Sequence, residues 1–190
     1  MIKILFHLQI FSALVCFLCL GGCAKYSEEV QANLTKLQTT KSCSGCDLTG
    51  IELVGFDLKN ADLSGANLTG ANLGRVDLTE ANLTNANLTD ASLVMSILTG
   101  AKVVNTNLSK VKLSYANLSG VDISDSLLVD ASMNSSKILN SKISDTNMAG
   151  ANLHNANLTG TKINPKMLKD SVLCKTIMPS GQQDDSGCKG

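Results

Sequence analysis

The fold of this chain is decided by a stretch in which one five-residue block returns without interruption. Residues 61–90 read ADLSG ANLTG ANLGR VDLTE ANLTN ANLTD. The same phase extends outward in both directions, from Cys46 to Pro165, and gives 24 blocks over 120 residues. The central residue of each block is Leu in most cases and Val, Ile or Met in the others. Self-similarity at a fixed short period predicts a solenoid.

The other positions of the block indicate a short extended segment followed by a tight turn. The residue two places before the centre is Ala in 11 blocks, and the residue two places after it is Gly, Asn or Asp in 17 of 24. Gly, Asn and Asp adopt positive φ more readily than other residues, as tight turns require. Side chains two residues apart lie on the same side of an extended segment. Each block therefore predicts two inward side chains and then a bend.

A period of five matches neither an α-helix nor a long strand. A chain that bends once per block can close on itself after four blocks, which gives a square coil of 20 residues. Successive coils would stack about 4.8 Å apart, like neighbouring strands. Side chains spaced by 20 residues would then form columns. On one face the predicted inward column consists of Leu48, Leu68, Leu88, Leu108, Leu128 and Met148.

The A-(D/N)-L-x-x signature over residues 46–165 resembles the pentapeptide-repeat family. This resemblance implies an all-β fold, a right-handed quadrilateral β-helix of about six coils for 120 residues. The best-known activity of the family is mimicry of DNA at gyrase, which needs a densely acidic surface. Residues 46–165 carry 11 acidic and 8 basic residues, a net charge of −3. Such a weak charge argues against DNA mimicry here.

Residues 1–22 are typical of a lipoprotein signal peptide. Lys3 precedes an apolar run, Ile4–Leu20, that has the layout of a signal segment. The following Leu-Gly-Gly-Cys, which ends at Cys23, resembles the bacterial lipobox and implies lipidation of Cys23. By resemblance to lipoprotein sorting, Ala24 favours the outer membrane. An ordinary cleaved signal with an incidental cysteine, or an uncleaved anchor, are the alternatives.

Residues 23–45 are interpreted as a tether and an N-terminal capping helix. Residues 26–39 predict a short helix in which Ser27 is the N-cap and one face carries Val30, Leu34 and Leu37. We expect this face to cover the first coil, because the open end of a solenoid exposes unpaired backbone. A helix that binds a partner or the bilayer surface is the alternative.

Four cysteines remain besides Cys23 and those in the signal, and an even number in an exported chain suggests disulfides, with three possible pairings. Cys43 and Cys46, at the junction with the repeats, occupy positions of the five-residue pattern whose side chains point inward. This placement predicts core packing or a local disulfide. A zinc site would need two further ligands nearby. Cys174 and Cys188 flank a Met-Pro-Ser-Gly turn signal, so residues 166–190 predict a small C-terminal cap closed by a disulfide. This tail also resembles C-termini found in the family.

The sequence contains few candidates for catalytic residues. His154 is the only histidine after the signal, at an outward position with no evident nucleophile beside it. Most carboxylates occupy turn positions or the position before the centre, where they are interpreted as surface charge. The chain has 16 basic and 16 acidic residues and few aromatics, which disfavours nucleic acid as a partner. We expect no catalytic site, metal, cofactor or small-molecule substrate.

Surface contact remains as the predicted function. Val94, Met95 and Tyr115 are expected to be neighbours in successive coils, and a second apolar patch flanks Leu128. We therefore expect a non-catalytic, membrane-tethered extracytoplasmic protein that acts as a structural or protein-interaction module with an unidentified partner. The alternatives are a secreted, unlipidated effector and an enzyme with its site in the end caps.

Overall fold

The computed structural model describes residues 25–188, so the expected signal peptide and the lipidation site at Cys23 lie outside the described residues. Helix α1 spans Glu28–Thr40. The remaining regular elements, in chain order, are β1 (Asp122–Ser124), β2 (Lys142–Ser144), β3 (Lys162–Ile163), a 3-10 helix (Pro165–Leu168), β4 (Thr176–Ile177) and β5 (Gln183–Asp184). Within residues 25–188, no helix combines the length and the apolar character needed to cross a membrane.

The backbone bends once in every block, as the turn residues predict. Every fifth residue from position 45 to position 160 has positive φ, between 51° and 73°. In most bends the carbonyl of the central residue accepts a hydrogen bond from the N–H three residues later, for example Leu48 O from Ile51 N at 3.3 Å. These bends are therefore β-turns with a left-handed residue at the third position.

The coils stack through a parallel ladder with a constant register. Every parallel bridge joins residues 20 apart, from Ser42 opposite Asp62 to Asn157 opposite Ile177. The hydrogen bonds between coils are short, as in Leu68 N donating to Asn87 O at 2.7 Å. Strands β1, β2 and β3 are the longest stretches of one ladder, and they form a parallel sheet in that order.

The predicted inward residues form the core. Leu68, Leu88 and Leu108 stack one above the other and are at most 2% exposed. In the second half of the chain the inward Ala is often replaced by a buried Ser or Thr, and each of these hydroxyls donates to a backbone carbonyl. The residues concerned are Ser96, Thr106, Ser126, Ser136, Ser141, Thr146, Thr161 and Thr176.

Helix α1 lies against the N-terminal coil. Its N-cap is Ser27, whose Oγ accepts a hydrogen bond from Val30 N at 3.2 Å. Val30 and Leu37 are buried in the core cluster. The Nδ2 of Asn33 donates to Asp47 O at 3.0 Å and so ties the helix to the first complete block.

The parallel ladder extends beyond Pro165, the predicted end of the repeat. The ladder continues through Val172, opposite Asn152, and Ile177, opposite Asn157. The central phase also persists past the boundary, at Leu168, Leu173 and Met178. The 3-10 helix replaces one face of this last coil. Pro165 occupies the turn position but cannot adopt positive φ, and Lys166 occupies the inward position but would bury its charge there. Antiparallel pairing of β5 with β4 then covers part of the final edge.

Candidate interaction surface

The outer faces carry columns of short polar side chains that accept hydrogen bonds from backbone N–H groups. The Asn or Asp before the centre of a block accepts a hydrogen bond from the N–H two residues later, as in Thr49 N to Asp47 Oδ1 at 3.0 Å. The Thr49 hydroxyl donates to the same oxygen at 2.6 Å. The side chain of Asn67, one coil above, donates to Thr49 Oγ1 at 2.9 Å. These carboxylates therefore have a structural role, which their interpretation as plain surface charge missed.

These contacts favour the ionised carboxylate. Hydrogen bonds from the Thr49 side chain and backbone hold the pKa of Asp47 below its ordinary value. Hydrogen bonds from Ser64 lower the pKa of Asp62 in the same way, helped by the side chain of Asn82. The pattern of Asp or Asn followed two residues later by Ser or Thr is visible in the sequence, and it could have indicated this role.

The four cysteines after Cys23 form two disulfides. Cys43 is bonded to Cys46 at the first coil, and both side chains are buried. Cys174 is bonded to Cys188 across the C-terminal hairpin. Disulfides form and persist in oxidising compartments, so the two bonds indicate an extracytoplasmic environment. Among residues 25–188, no cluster of His, Cys, Asp and Glu could hold a metal ion.

An apolar ridge projects from one corner of the coils. Met95 and Tyr115 occupy this corner in successive coils and are 49% and 59% exposed. Val94 is half-buried beside Met95, and Ile97 is 39% exposed at the start of the next face. We call Val94, Met95, Ile97 and Tyr115 the corner ridge. The structure therefore places the three predicted contact residues together and adds Ile97, which sequence reasoning missed because it occupies a position held elsewhere mainly by Asn and Asp.

The corner ridge is built on strained backbone. Met95 and Tyr115 have φ of 59° and 62°, the left-handed region in which bulky side chains are rare. Arg75, one coil below Met95, has φ of 57°. The coils hold the three residues in line, because Arg75 N donates to Val94 O at 2.9 Å and Met95 N to Ser114 O at 3.0 Å.

Three basic side chains stand around the corner ridge without an ionic partner in the part of the chain that the structure describes. Arg75 lies below it, Lys112 lies on the face before Tyr115, and Lys137 lies in the column of Ile97. None of them belongs to the four ion pairs found among residues 25–188. The nearest carboxylate in the column of Ile97 is Asp77, which already pairs with Lys59 at 3.2 Å.

The surface offers three other candidate sites: the surroundings of Leu127, the position of His154, and a depression near the C-terminal end. Leu127, in the second predicted patch, is 44% exposed, and its neighbours in the column are Asn107 and Asn147. His154 is half-buried on an outer face, and its N–H donates to Asn152 Oδ1 at 3.0 Å. An open depression of about 440 Å³ lies beside β2 and β3 near the C-terminal end. It is lined by Lys142, Ile143, Ser144, Asp145, Lys162, Ile163, Asn164 and Met167.

Comparison with known proteins agrees with this architecture. The family model of pentapeptide repeats matches residues 42–79, 67–103, 98–128 and 126–164, in eight copies. Among solved structures, the chain is similar to HetL, a pentapeptide repeat protein involved in heterocyst differentiation regulation from the cyanobacterium Nostoc sp. strain PCC 7120. The identity is 30% and the TM-score 0.63, over 75% of this chain and 74% of HetL. The pentapeptide repeat protein Rfr23 from the cyanobacterium Cyanothece 51142 is 25% identical, with a TM-score of 0.37, over 74% of this chain and 97% of Rfr23. No curated protein matches the chain by sequence.

The ladder of 20-residue coils defines the molecule as a β-helical solenoid, and its similarity to HetL and to the repeat family implies the right-handed form. The family model covers well over half of the sequence, and HetL is a relative along most of its own length. The chain belongs to the pentapeptide-repeat family.

Proposed function

We propose that this protein is a non-catalytic, membrane-tethered module that presents a rigid solenoid surface to a protein partner outside the cytoplasm. The observation that carries the proposal is a regular ladder of coils on which three of the six exposed large apolar side chains, Met95, Ile97 and Tyr115, are grouped at one corner. Contiguous exposed apolar surface on a soluble solenoid is typical of protein–protein contact. The two disulfides support a location in an oxidising compartment.

The tether would hold one end of the solenoid close to the membrane. Only Ala24 separates Cys23 from Lys25, whose Nζ lies 3.8 Å from Glu52 Oε1 in the first coils. The hydroxyl of Tyr26 accepts a hydrogen bond from Glu52 N at 3.1 Å. Two residues span at most about 7 Å. A lipid on Cys23 would therefore place the N-terminal end at the bilayer surface and leave the outer faces free.

Metabolic labelling with a palmitate analogue tests the tether. The full-length protein is expected to take up the label and to sediment with membranes, in a diderm cell with the outer membrane. The Cys23→Ser variant should lose both properties, whereas Cys19→Ser, in the signal segment, should keep them. Release of an unlabelled wild-type protein into the medium would favour the secreted alternative and overturn the tether.

A further inference from the structure

The residues that suit left-handed turns least are concentrated at one corner of the solenoid. Among the positive-φ turns from position 45 to position 160, the residues that are not Gly, Asn or Asp are Arg75, Glu80, Met95, Lys110, Tyr115 and Ser135. Four of these six lie 20 residues apart on the corner that carries Met95 and Tyr115. The same corner continues at Lys175, which also has positive φ, 53°.

This concentration has no explanation in the packing of the fold. A left-handed L-residue other than Gly, Asn or Asp is strained, and the strain persists only where something else compensates for it. Met95 and Tyr115 are half exposed or more, so the core does not compensate for their strain. Asn155 occupies an equivalent turn on the same corner and satisfies the backbone with a small polar side chain. Contact with another molecule would account for the large side chains.

The chemistry around the corner ridge defines the partner that fits it. Met, Tyr and Arg are enriched in protein interfaces, where apolar anchors lie inside a polar rim. Arg75, Lys112 and Lys137 form that rim and have no ionic partner among residues 25–188. On the preceding corner, Asp90 and Asp130 lie in the coils below and above Lys110, and none of the three belongs to an ion pair among residues 25–188. On the corner of the ridge itself and in the columns of Lys112 and Ile97, the charged side chains without an ionic partner in that range are all basic.

We infer that the corner ridge inserts into an apolar groove, rimmed by carboxylates, on a second protein. This inference rests on the proposed function as an interaction module and names both its contact surface and the chemistry of its partner. The ridge is convex, so the partner supplies the concave surface. The carboxylates of the partner pair with Arg75, Lys112 and Lys137, and they help to exclude other molecules that share only the apolar groove.

Photocrosslinking in intact cells tests the surface directly. The photoreactive residue benzoylphenylalanine replaces Tyr115 in the full-length protein, and the matched control carries it at Leu127, an exposed apolar position away from the ridge. The expected result is one protein adduct from position 115, with crosslinked peptides that combine apolar residues with Asp or Glu. The absence of an adduct specific to position 115, or an adduct with lipid or with a second copy of this chain, would overturn the inference.

Binding of the purified partner then tests the two components of the surface. Met95→Asn with Tyr115→Asn should weaken binding at least tenfold, and so should Arg75→Glu with Lys112→Glu and Lys137→Glu. Leu127→Asn and Lys166→Glu are the matched controls and should change affinity less than twofold. Affinity should also fall as salt is raised, because the rim charges are exposed. If the triple charge reversal leaves the affinity unchanged, the inference that carboxylates of the partner pair with these basic residues is wrong.

Thermal unfolding separates a binding role from a structural one. Because Asn tolerates positive φ, Met95→Asn and Tyr115→Asn should each raise the melting temperature, by about 1–4 °C. Loss of binding together with a gain of stability would show that the side chains are retained for contact. A lower melting temperature would overturn the argument from strain. An adduct at position 127 but not at 115 would reject the ridge while the interaction module stands, and palmitate labelling reports on the tether independently.

Discussion

Single residues at the turns differ in the space that the neighbouring coil leaves for a side chain. Gly150 and Gly70 occupy the same corner with φ of 70° and 64°, but their surroundings differ. A Cβ at Gly150 would lie 2.2 Å from Asp130 Oδ1, whereas a Cβ at Gly70 would meet nothing within 4 Å. The turn pattern predicts the positive φ at both positions. The steric difference could not be predicted, because it depends on the rotamer of an aspartate in the coil below.

Gly150→Ala should therefore destabilise the protein more than Gly70→Ala does. Both variants carry the left-handed strain of an alanine, but only Gly150→Ala also forces the Asp130 side chain out of its rotamer. We expect an excess loss of about 1 kcal/mol in the free energy of unfolding, measured in urea. In an Asp130→Gly background this excess should disappear. Equal losses for the two single variants would contradict the steric account.

The lowered carboxylate pKa values link stability to pH. Asp47 and Asp62 have folded-state pKa values below the ordinary value of 3.8, so their hydrogen bonds stabilise the fold above that pH. This contribution is lost as the pH falls through their folded-state values. The variant with Asp47→Asn and Asp62→Asn keeps both acceptor oxygens, as Asn67 does in its own block. As the pH is lowered, the free energy of unfolding should therefore fall less in this variant than in the wild type. An equal fall in both proteins would contradict the stabilising role of the two carboxylates.

At the scale of elements, the N-terminal helix and the Cys174–Cys188 disulfide were predictable, whereas the continuation of the ladder past Pro165 was not. The N-cap at Ser27 and the apolar spacing of Val30, Leu34 and Leu37 follow from local rules of helix formation. The return of the ladder at Val172 follows instead from pairing with Asn152 in the coil below, across the 3-10 helix. Pro165 and Lys166 interrupt the five-residue pattern, so the sequence predicted that the ladder ends there. The apolar residues at the central positions, Leu168, Leu173 and Met178, were the signal that it continues.

Helix α1 should contribute to stability through one fully buried side chain. Leu37 has no exposed surface, whereas Gln38 beside it is exposed. Leu37→Ala should lower the free energy of unfolding by about 2–5 kcal/mol, because it leaves a cavity between the helix and the first coil. Gln38→Ala is the matched control and should change it by less than about 0.5 kcal/mol. A similar small effect for both variants would mean that the helix does not pack on the solenoid.

The C-terminal hairpin should depend on its disulfide. Cys174 is buried and Cys188 is exposed, and they lie 14 positions apart in the sequence. Cys188→Ala removes the bond and leaves the buried side chain of Cys174 in place. Because the bond restricts the unfolded chain, its loss should lower the free energy of unfolding by about 3 kcal/mol. Gln182→Ala, at an exposed position of the same hairpin, is the matched control. If Cys188→Ala lowers the free energy of unfolding no more than Gln182→Ala does, the disulfide has no stabilising role.

At the scale of the whole molecule, a single local rule generates the architecture. A five-residue block with an inward pair and a turn repeats until columns such as Leu68, Leu88 and Leu108 line the interior. The periodic part of the molecule was predictable for this reason. The corner ridge was predictable only in part. The sequence brings Met95 and Tyr115 together, but it does not reveal that Ile97 is exposed or that the nearby cations lack an ionic partner within residues 25–188. Those properties depend on side chains from several coils.

Distances between spin labels test the stacked-coil geometry most directly. Labels attached through ketone-bearing residues, with both disulfides intact, would replace Asn60 and Asn140 in one variant and Arg75 and Asn155 in another. All four positions are exposed, and each pair is four coils apart on one corner. Double electron–electron resonance should give one narrow distribution near 19 Å for both pairs, from about 4.8 Å per coil. Broad distributions, or mean distances that differ between the two corners by more than about 10 Å, or two coils, would contradict the solenoid.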